Sequence, residues 1–308
     1  MLEHFQKTIL KEVSFKGVGL HSGVNTVAKI IPASENYGIV FKRIDLDNNN
    51  IVQANFENVS SATLCTTLQN EFNVSVSTVE HLLAALYITG VDNALIEINN
   101  FEVPIMDGSS KEFVEKITEA GIKNLNVKRK YLKINKKFEL KEGKKTISIN
   151  TNSNCLKVDF QLVYSNEVIG TQSNQINFAD KDLRNVYTSR TFCLFEDVEK
   201  IKKIGLGKGG SLENAVVVKD NEILNTEGLR NNKEFVNHKI LDLVGDFLLS
   251  GYRILGSVKC SQGGHSLSNQ FLRAMFEDRS NFTIIEQEES SPEKNFFKTP
   301  TNKLAVNA

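Results

Sequence analysis

The segment FVNHKILDLVGDF, residues 235–247, carries an imidazole, an ammonium and two carboxylates at helical spacing. A helix advances by ~100° per residue, so His238, Asp242 and Asp246 step round by only about 40° each time, with Lys239 beside them. Val236, Ile240, Leu241, Leu243, Val244, Phe247 and Leu248 fill most of the remaining circumference. The polar stripe is either a solvated face or half of a metal site. Phe235 and Leu249 fall in the same sector, and only one Lys appears where Lys and Glu usually crowd, so the stripe does not read as a free surface.

Two further places carry chemistry. In STVEHLLAAL, Ser77 and Glu80 match the S-x-x-E pattern that predicts a capping box, with Glu80 reaching back to the helix start. His81 then sits in the first helical turn, where the positive end of the helix dipole disfavours imidazolium. A neutral imidazole is what a metal requires. A Glu next to a His also suits zinc hydrolases, in which one residue binds metal and the other handles the water proton. In CSQGGHSL, His265 follows two glycines near the end of a predicted strand, where it is either a packing residue or part of a site. The chain has five histidines, and three of them, His81, His238 and His265, each have a carboxylate at hand.

These residues need elements to hold them. Strand-like alternation opens the chain, and helices are predicted at 77–90 and 109–122. The polar stretch KNLNVKRK, 123–130, reads as a linker. The order then repeats: strands, a helix over about 233–249, a strand through ILGSVKCSQGGHSLSN and a helix near 268–277. The fold class expected is α+β, in two similar domains, 1–125 and 126–285, with a polar tail over 286–308. GLGKGG, 205–210, matches G-x-G-x-x-G, but a helical pattern precedes it and a strand pattern follows. The dinucleotide fingerprint needs the reverse.

Composition bounds the function. Lys plus Arg and Asp plus Glu balance at 37 each, so no global field favours nucleic acid or an anionic membrane. With 40% hydrophobic residues the chain can bury a real core. The four cysteines are far apart and form no C-x-x-C pair. The N-terminus is charged from its third residue and lacks a signal-peptide core, and no apolar run reaches the roughly 18 residues a membrane span needs. A cytoplasmic protein is expected, without stable membrane insertion.

TVEHLLAAL, PIMDGSS, SRTFCL, HKILDLVGD and GGHSLSN, in this order, with GVGLHSG near the start, closely resemble the UDP-3-O-acyl-N-acetylglucosamine deacetylases. These are zinc amidohydrolases of lipid A synthesis in Gram-negative bacteria. The resemblance covers about residues 3–280. It implies two domains that each sandwich helices between sheets, with the active site where they meet. It implies Zn2+ held by His81, His238 and Asp242, with Fe2+ possible in the same site. It implies Glu80 as general base, His265 as the imidazolium near the leaving amine with Asp246 as its partner, and Lys239 and Thr191 as oxyanion supports. It also implies a hydrophobic passage beside SRTFCLF for the acyl chain of a UDP-sugar substrate. A monomer is expected. The alternative within this chemistry is a general metal-dependent N-deacetylase of nucleotide sugars. Two His and one carboxylate also describe Fe(II) oxygenases, but those usually carry H-x-D on strands. A structural metal normally has four protein ligands.

Overall fold

Alternating burial builds the sheets, and helices that are apolar on almost every side fill the space between them. The computed structural model describes residues 2–286, so of the predicted tail only Glu286 falls inside it. The chain begins with β1 (Phe5–Ile9), β2 (Val13–Val18), β3 (Asn25–Pro32), β4 (Ile39–Arg43), β5 (Ile51–Gln53), β6 (Val59–Ser61), β7 (Thr67–Gln69) and β8 (Ser75–Ser77). Helix α1 (Glu80–Thr89), β9 (Ala94–Ile98) and helix α2 (Lys111–Ala120) follow. Next come β10 (Ile122–Lys128), β11 (Lys130–Ile134), β12 (Phe138–Glu142), β13 (Lys145–Thr151), β14 (Leu156–Val163) and β15 (Thr171–Asn177). The chain continues through α3 (Arg184–Tyr187), β16 (Phe192–Leu194), α4 (Phe195–Lys203), β17 (Val216–Lys219) and β18 (Glu222–Ile223). It closes with α5 (Glu234–Leu248), β19 (Arg253–Ser261), α6 (His265–Glu277) and β20 (Phe282–Glu286).

The fold is α+β, as the element order predicts. One sheet has the order β2-β3-β9-β4-β5, and β6, β7 and β8 form a small sheet of their own. The largest sheet runs β12-β13-β19-β11-β20, with β14 also paired to β19 and β15 to β14. β16, β17 and β18 form another small sheet, against which α4 packs. Strands such as β14 alternate buried and outward residues along their length, the pattern of a sheet with one covered face.

Helices α1 and α5 lie against each other at the centre; α1 also touches α2, and α5 touches α3, α6, β14 and β15. Leu and Ala make α1 a strong helix former, and Gly90 ends it at φ 83° with its N–H on the Leu86 carbonyl. Glu80 through Tyr87 are all buried, and in α5 every residue but Lys239 is buried. The polar stripe on α5 therefore faces protein and not water. Among the described residues, no helix is long and apolar enough to cross a membrane.

Three sequence expectations need correction. The capping box does not form. Ser77 ends β8, its hydroxyl donates to the Phe101 carbonyl, and α1 begins only at Glu80 with no side-chain cap. Thr78, at φ 56°, turns the chain between strand and helix, so Ser77 is never placed over the helix start. The supposed linker at 123–130 is largely strand β10, antiparallel to β1. It reads as polar because Leu125 is its one buried residue. Arg129, which follows it, is only 4% exposed and is held by Asp92, Glu3 and the Gly90 carbonyl. His265 does not end a strand; it opens α6, three residues before the predicted helix, with Gly264 at the N-cap. GLGKGG follows a helix and precedes β17, as expected. A Cβ on Gly209 would lie 2.2 Å from the Gly19 carbonyl oxygen, so this loop is a backbone wall packed on the 19–23 turn.

Candidate metal centre

The start of α1 rests on α5 at Gly245. A Cβ there would lie 2.1 Å from the Glu80 carbonyl oxygen and 3.2 Å from the Ala84 nitrogen, so only glycine lets the two backbones approach this closely. The approach sets Glu80 and His81 beside the stripe of α5. Ser110, just before α2, donates its hydroxyl to the His81 carbonyl at 2.7 Å and fixes that turn from the other side.

His81, His238 and Asp242 converge, each at most 4% exposed, and one ligand atom from each lies within 4.8 Å of the others. Asp242 Oδ1 is 3.5 Å from His81 Nε2 and 3.3 Å from His238 Nε2. That oxygen has no hydrogen-bond partner, an orphan that a cation would satisfy. His238 Nδ1 lies 3.1 Å from the Ser189 carbonyl. A carbonyl only accepts, so Nδ1 carries the proton and Nε2 turns its lone pair toward Asp242. Burial pushes His238 down to about 3, with His81 and Lys239 adding to the effect against Asp242, so the ring is neutral at ordinary pH. Burial works to raise the Asp242 carboxyl, but His238 and the Lys239 ammonium hold it well below the usual range. Two imidazoles and one carboxylate suit a divalent ion of borderline softness.

Around this group sit the other predicted residues. Lys239 Nζ donates to Asp242 Oδ2 at 2.6 Å and lies 5.9 Å from the Phe192 ring centroid. Its pKa is raised: burial opposes the charge, and Asp242 outweighs that. His265 Nδ1 is 2.9 Å from Asp246 Oδ2, and its Nε2 is 3.6 Å from Glu80 Oε1 and 3.9 Å from Asp242 Oδ2. Burial would lower His265, but Asp246 and Glu80 raise it to about 10. Burial raises the Glu80 carboxyl against the pull of His265 and His81. Glu80, Asp246 and His265 are therefore brought together with the triad.

Thr191 stands immediately before β16. Its N–H donates to the Gly108 carbonyl at 2.7 Å and its carbonyl accepts from Val216 at 2.8 Å, which fixes the start of β16. It lines an apolar cavity of about 350 Å3 with Leu20, Leu64, Phe192, Phe195 and Leu212. A larger, more polar cavity of about 470 Å3, lined by Tyr37, Asn55, Arg129 and Tyr252, includes none of the predicted site residues.

Several participants escape sequence reasoning. His21 is 8% exposed, lines the apolar cavity, and leaves both ring nitrogens without a partner. Its backbone N–H is held by Glu102, a residue from a distant turn, so no local carboxylate marks it. Thr66 bonds to both Glu80 and Asp246 from a loop without periodicity. Ser189 contributes only a carbonyl, which no side-chain motif can announce. The motif GVGLHSG contains His21, but nothing in it gives that imidazole a role.

Comparison with known proteins follows the same residues. The family profile described as UDP-3-O-acyl N-acetylglycosamine deacetylase (LpxC) matches residues 6–277. The chain is 41% identical over 283 residues to the UDP-3-O-acyl-N-acetylglucosamine deacetylase of Citrifermentans bemidjiense, covering 92% of each. It is 39% identical to that of Aliivibrio fischeri, over 93% of this chain and 95% of the relative. It is 38% identical to that of Idiomarina loihiensis, over 96% and 98%. The matched region contains the triad, Glu80, Asp246 and His265, and on these grounds the chain belongs to the UDP-3-O-acyl N-acetylglycosamine deacetylase family.

Proposed function

We propose that the protein hydrolyses the N-acetyl amide of a UDP-3-O-acyl-N-acetylglucosamine, with water as co-substrate, to give acetate and the free amine of UDP-3-O-acyl-glucosamine in lipid A synthesis. The observation that carries the reading is the meeting of Glu80 and His265, 3.6 Å apart, beside three converging ligand atoms. His81, His238 and Asp242 would hold the ion, zinc by the preference of this donor set, with ferrous iron able to use the same residues. Such an ion supplies Lewis acidity and lowers the pKa of water at the site.

The chain's own residues do the rest. Glu80, its carboxyl raised by burial, is the general base that takes the proton of the attacking water. His265, kept cationic by Asp246, faces the departing amine. Lys239 and Thr191 stabilise negative charge on the acetamide oxygen as the carbon becomes tetrahedral. The apolar cavity beside Thr191 and Phe192 takes the acyl chain. Each CH2 buried there contributes up to about 0.8 kcal/mol, part of which can fix the acetamide against the reacting groups. The division into units 1–125 and 126–285 would put His81 on one and His238 and Asp242 on the other. The balanced charge offers no field for nucleic acid, and a cytoplasmic monomer completes the reading.

The test compares acetate release from the 3-O-acyl substrate and from UDP-N-acetylglucosamine. The unacylated sugar is expected to lose orders of magnitude in kcat/KM, with kcat falling as well. Comparable values for the two would replace this reading with a general N-deacetylase of nucleotide sugars.

A further inference from the structure

Thr66 lies just before β7 and is 2% exposed. Its hydroxyl donates to Asp246 Oδ1 at 2.7 Å, and its N–H donates to Glu80 Oε2 at 3.0 Å. Its carbonyl accepts from Val79, the residue before α1, at 3.4 Å. One residue thus ties the carboxylate of α1 and the carboxylate of α5 to the same short loop. Leu64, at φ 64°, turns the backbone into this position two residues earlier.

The two ties divide the oxygens of each carboxylate. Asp246 gives Oδ2 to His265, so Oδ1 is the oxygen left to be satisfied in a buried site, and Thr66 satisfies it. Glu80 gives Oε2 to the Thr66 amide, which leaves Oε1 directed at His265. A free Glu would spread over several rotamers, and the amide removes that freedom before substrate arrives. The hydroxyl does the same for the plane of Asp246, and through it for the His265 ring.

We propose that Thr66 is a positioning residue of the hydrolytic site, setting the spacing between the general base on α1 and the pair formed by Asp246 of α5 and His265 of α6. The proposal rests on the roles given above to Glu80 and His265. Thr66 itself touches no reacting atom. Losing a hydrogen bond to a charged group should lower kcat by roughly tenfold to a hundredfold.

The experiment measures kcat, KM and metal content for Thr66→Val, Thr66→Ser, Asp246→Ala, the Thr66→Val/Asp246→Ala double variant and Glu80→Ala. Val keeps the shape and the amide but removes the hydroxyl. Thr66→Val should lose kcat with KM and metal content close to the parent, and Thr66→Ser should recover most of that loss. In the Asp246→Ala background, Thr66→Val should cost little more, because the hydroxyl has lost its acceptor. Independent, multiplying losses in the double variant would overturn the proposal. So would an unimpaired Thr66→Val, or a Thr66→Ser as poor as Thr66→Val, which would make the methyl the important group. If Val does not fold, Thr66→Ala replaces it and the Ser comparison decides. Full activity in Glu80→Ala would instead sink the underlying mechanism, so the two failures are separate.

Discussion

Helix α5 presents two carboxylates one turn apart, each paired with a buried imidazole, His238 on α5 itself and His265 at the start of α6, and the two pairs behave in opposite ways. Asp242 faces His238, and Asp246 faces His265. All four side chains are buried, and burial alone pushes both imidazoles toward neutrality. Yet His238 falls to about 3 and His265 rises to about 10. The neighbours decide. His238 stands beside His81 and the Lys239 ammonium, whereas His265 stands among Asp246, Glu80 and Asp242. The same two residue types thus give a neutral imidazole at one level of the helix and a held proton at the next.

Removing a residue at each level should produce different losses. The largest effect is expected at the triad: His81→Ala, His238→Ala and Asp242→Ala should each reduce bound metal and abolish most activity, as read by metal analysis alongside acetate release. Retention of stoichiometric metal by any of them would take that residue out of the ligand set. Next, Glu80→Ala should keep the metal and the fold while kcat drops about 10²–10⁴-fold, the range for a general base. An emptied site in that variant would make Glu80 a ligand.

The second pair can be tested by pH. Activity that needs imidazolium at His265 is lost as pH rises through its pKa. Asp246 holds that pKa up, so Asp246→Asn should move the basic limb of the profile to lower pH and reduce kcat. The same charge contributes to folding. A histidine raised in the folded state stabilises fully below its unfolded pKa of ~6.5, and the contribution fades as pH climbs toward about 10. The stability gap between parent and Asp246→Asn should therefore be widest below ~6.5 and narrow above it. An unmoved basic limb in a folded variant would assign that limb to another group, such as Lys239. The smallest effect is expected at Ser77. Because it caps nothing, Ser77→Ala should change stability by less than the ~1 kcal/mol that a lost cap costs, measured by denaturant unfolding.

The parts of this arrangement that follow helical periodicity were legible. His238, Lys239, Asp242 and Asp246 share one sector, and α5 was expected within a residue or so of where it lies. The capping pattern misled because it is a local rule, and the turn at Thr78 overrides it. Strand β10 was missed because a strand with one buried residue has no alternation to show. Thr66, Ser189 and Gly245 were out of reach for a common reason. Each acts through backbone or a single hydroxyl on a residue far away in sequence, and nothing in its own neighbourhood reports that contact.

Gly245 also bears on how the protein assembles. The three proposed ligands come from two helices half the chain apart, and their donor atoms converge where those helices are in backbone contact. An unfolded chain retains, at best, the single His238–Asp242 turn, a weak chelate. An ion held by this set would therefore bind the docked pair and almost nothing else, and its binding free energy would add to the docking equilibrium. Occupancy becomes a gauge of long-range closure. A chelator should lower the melting temperature, and a bulkier residue at 245 should weaken metal affinity without touching a single ligand atom.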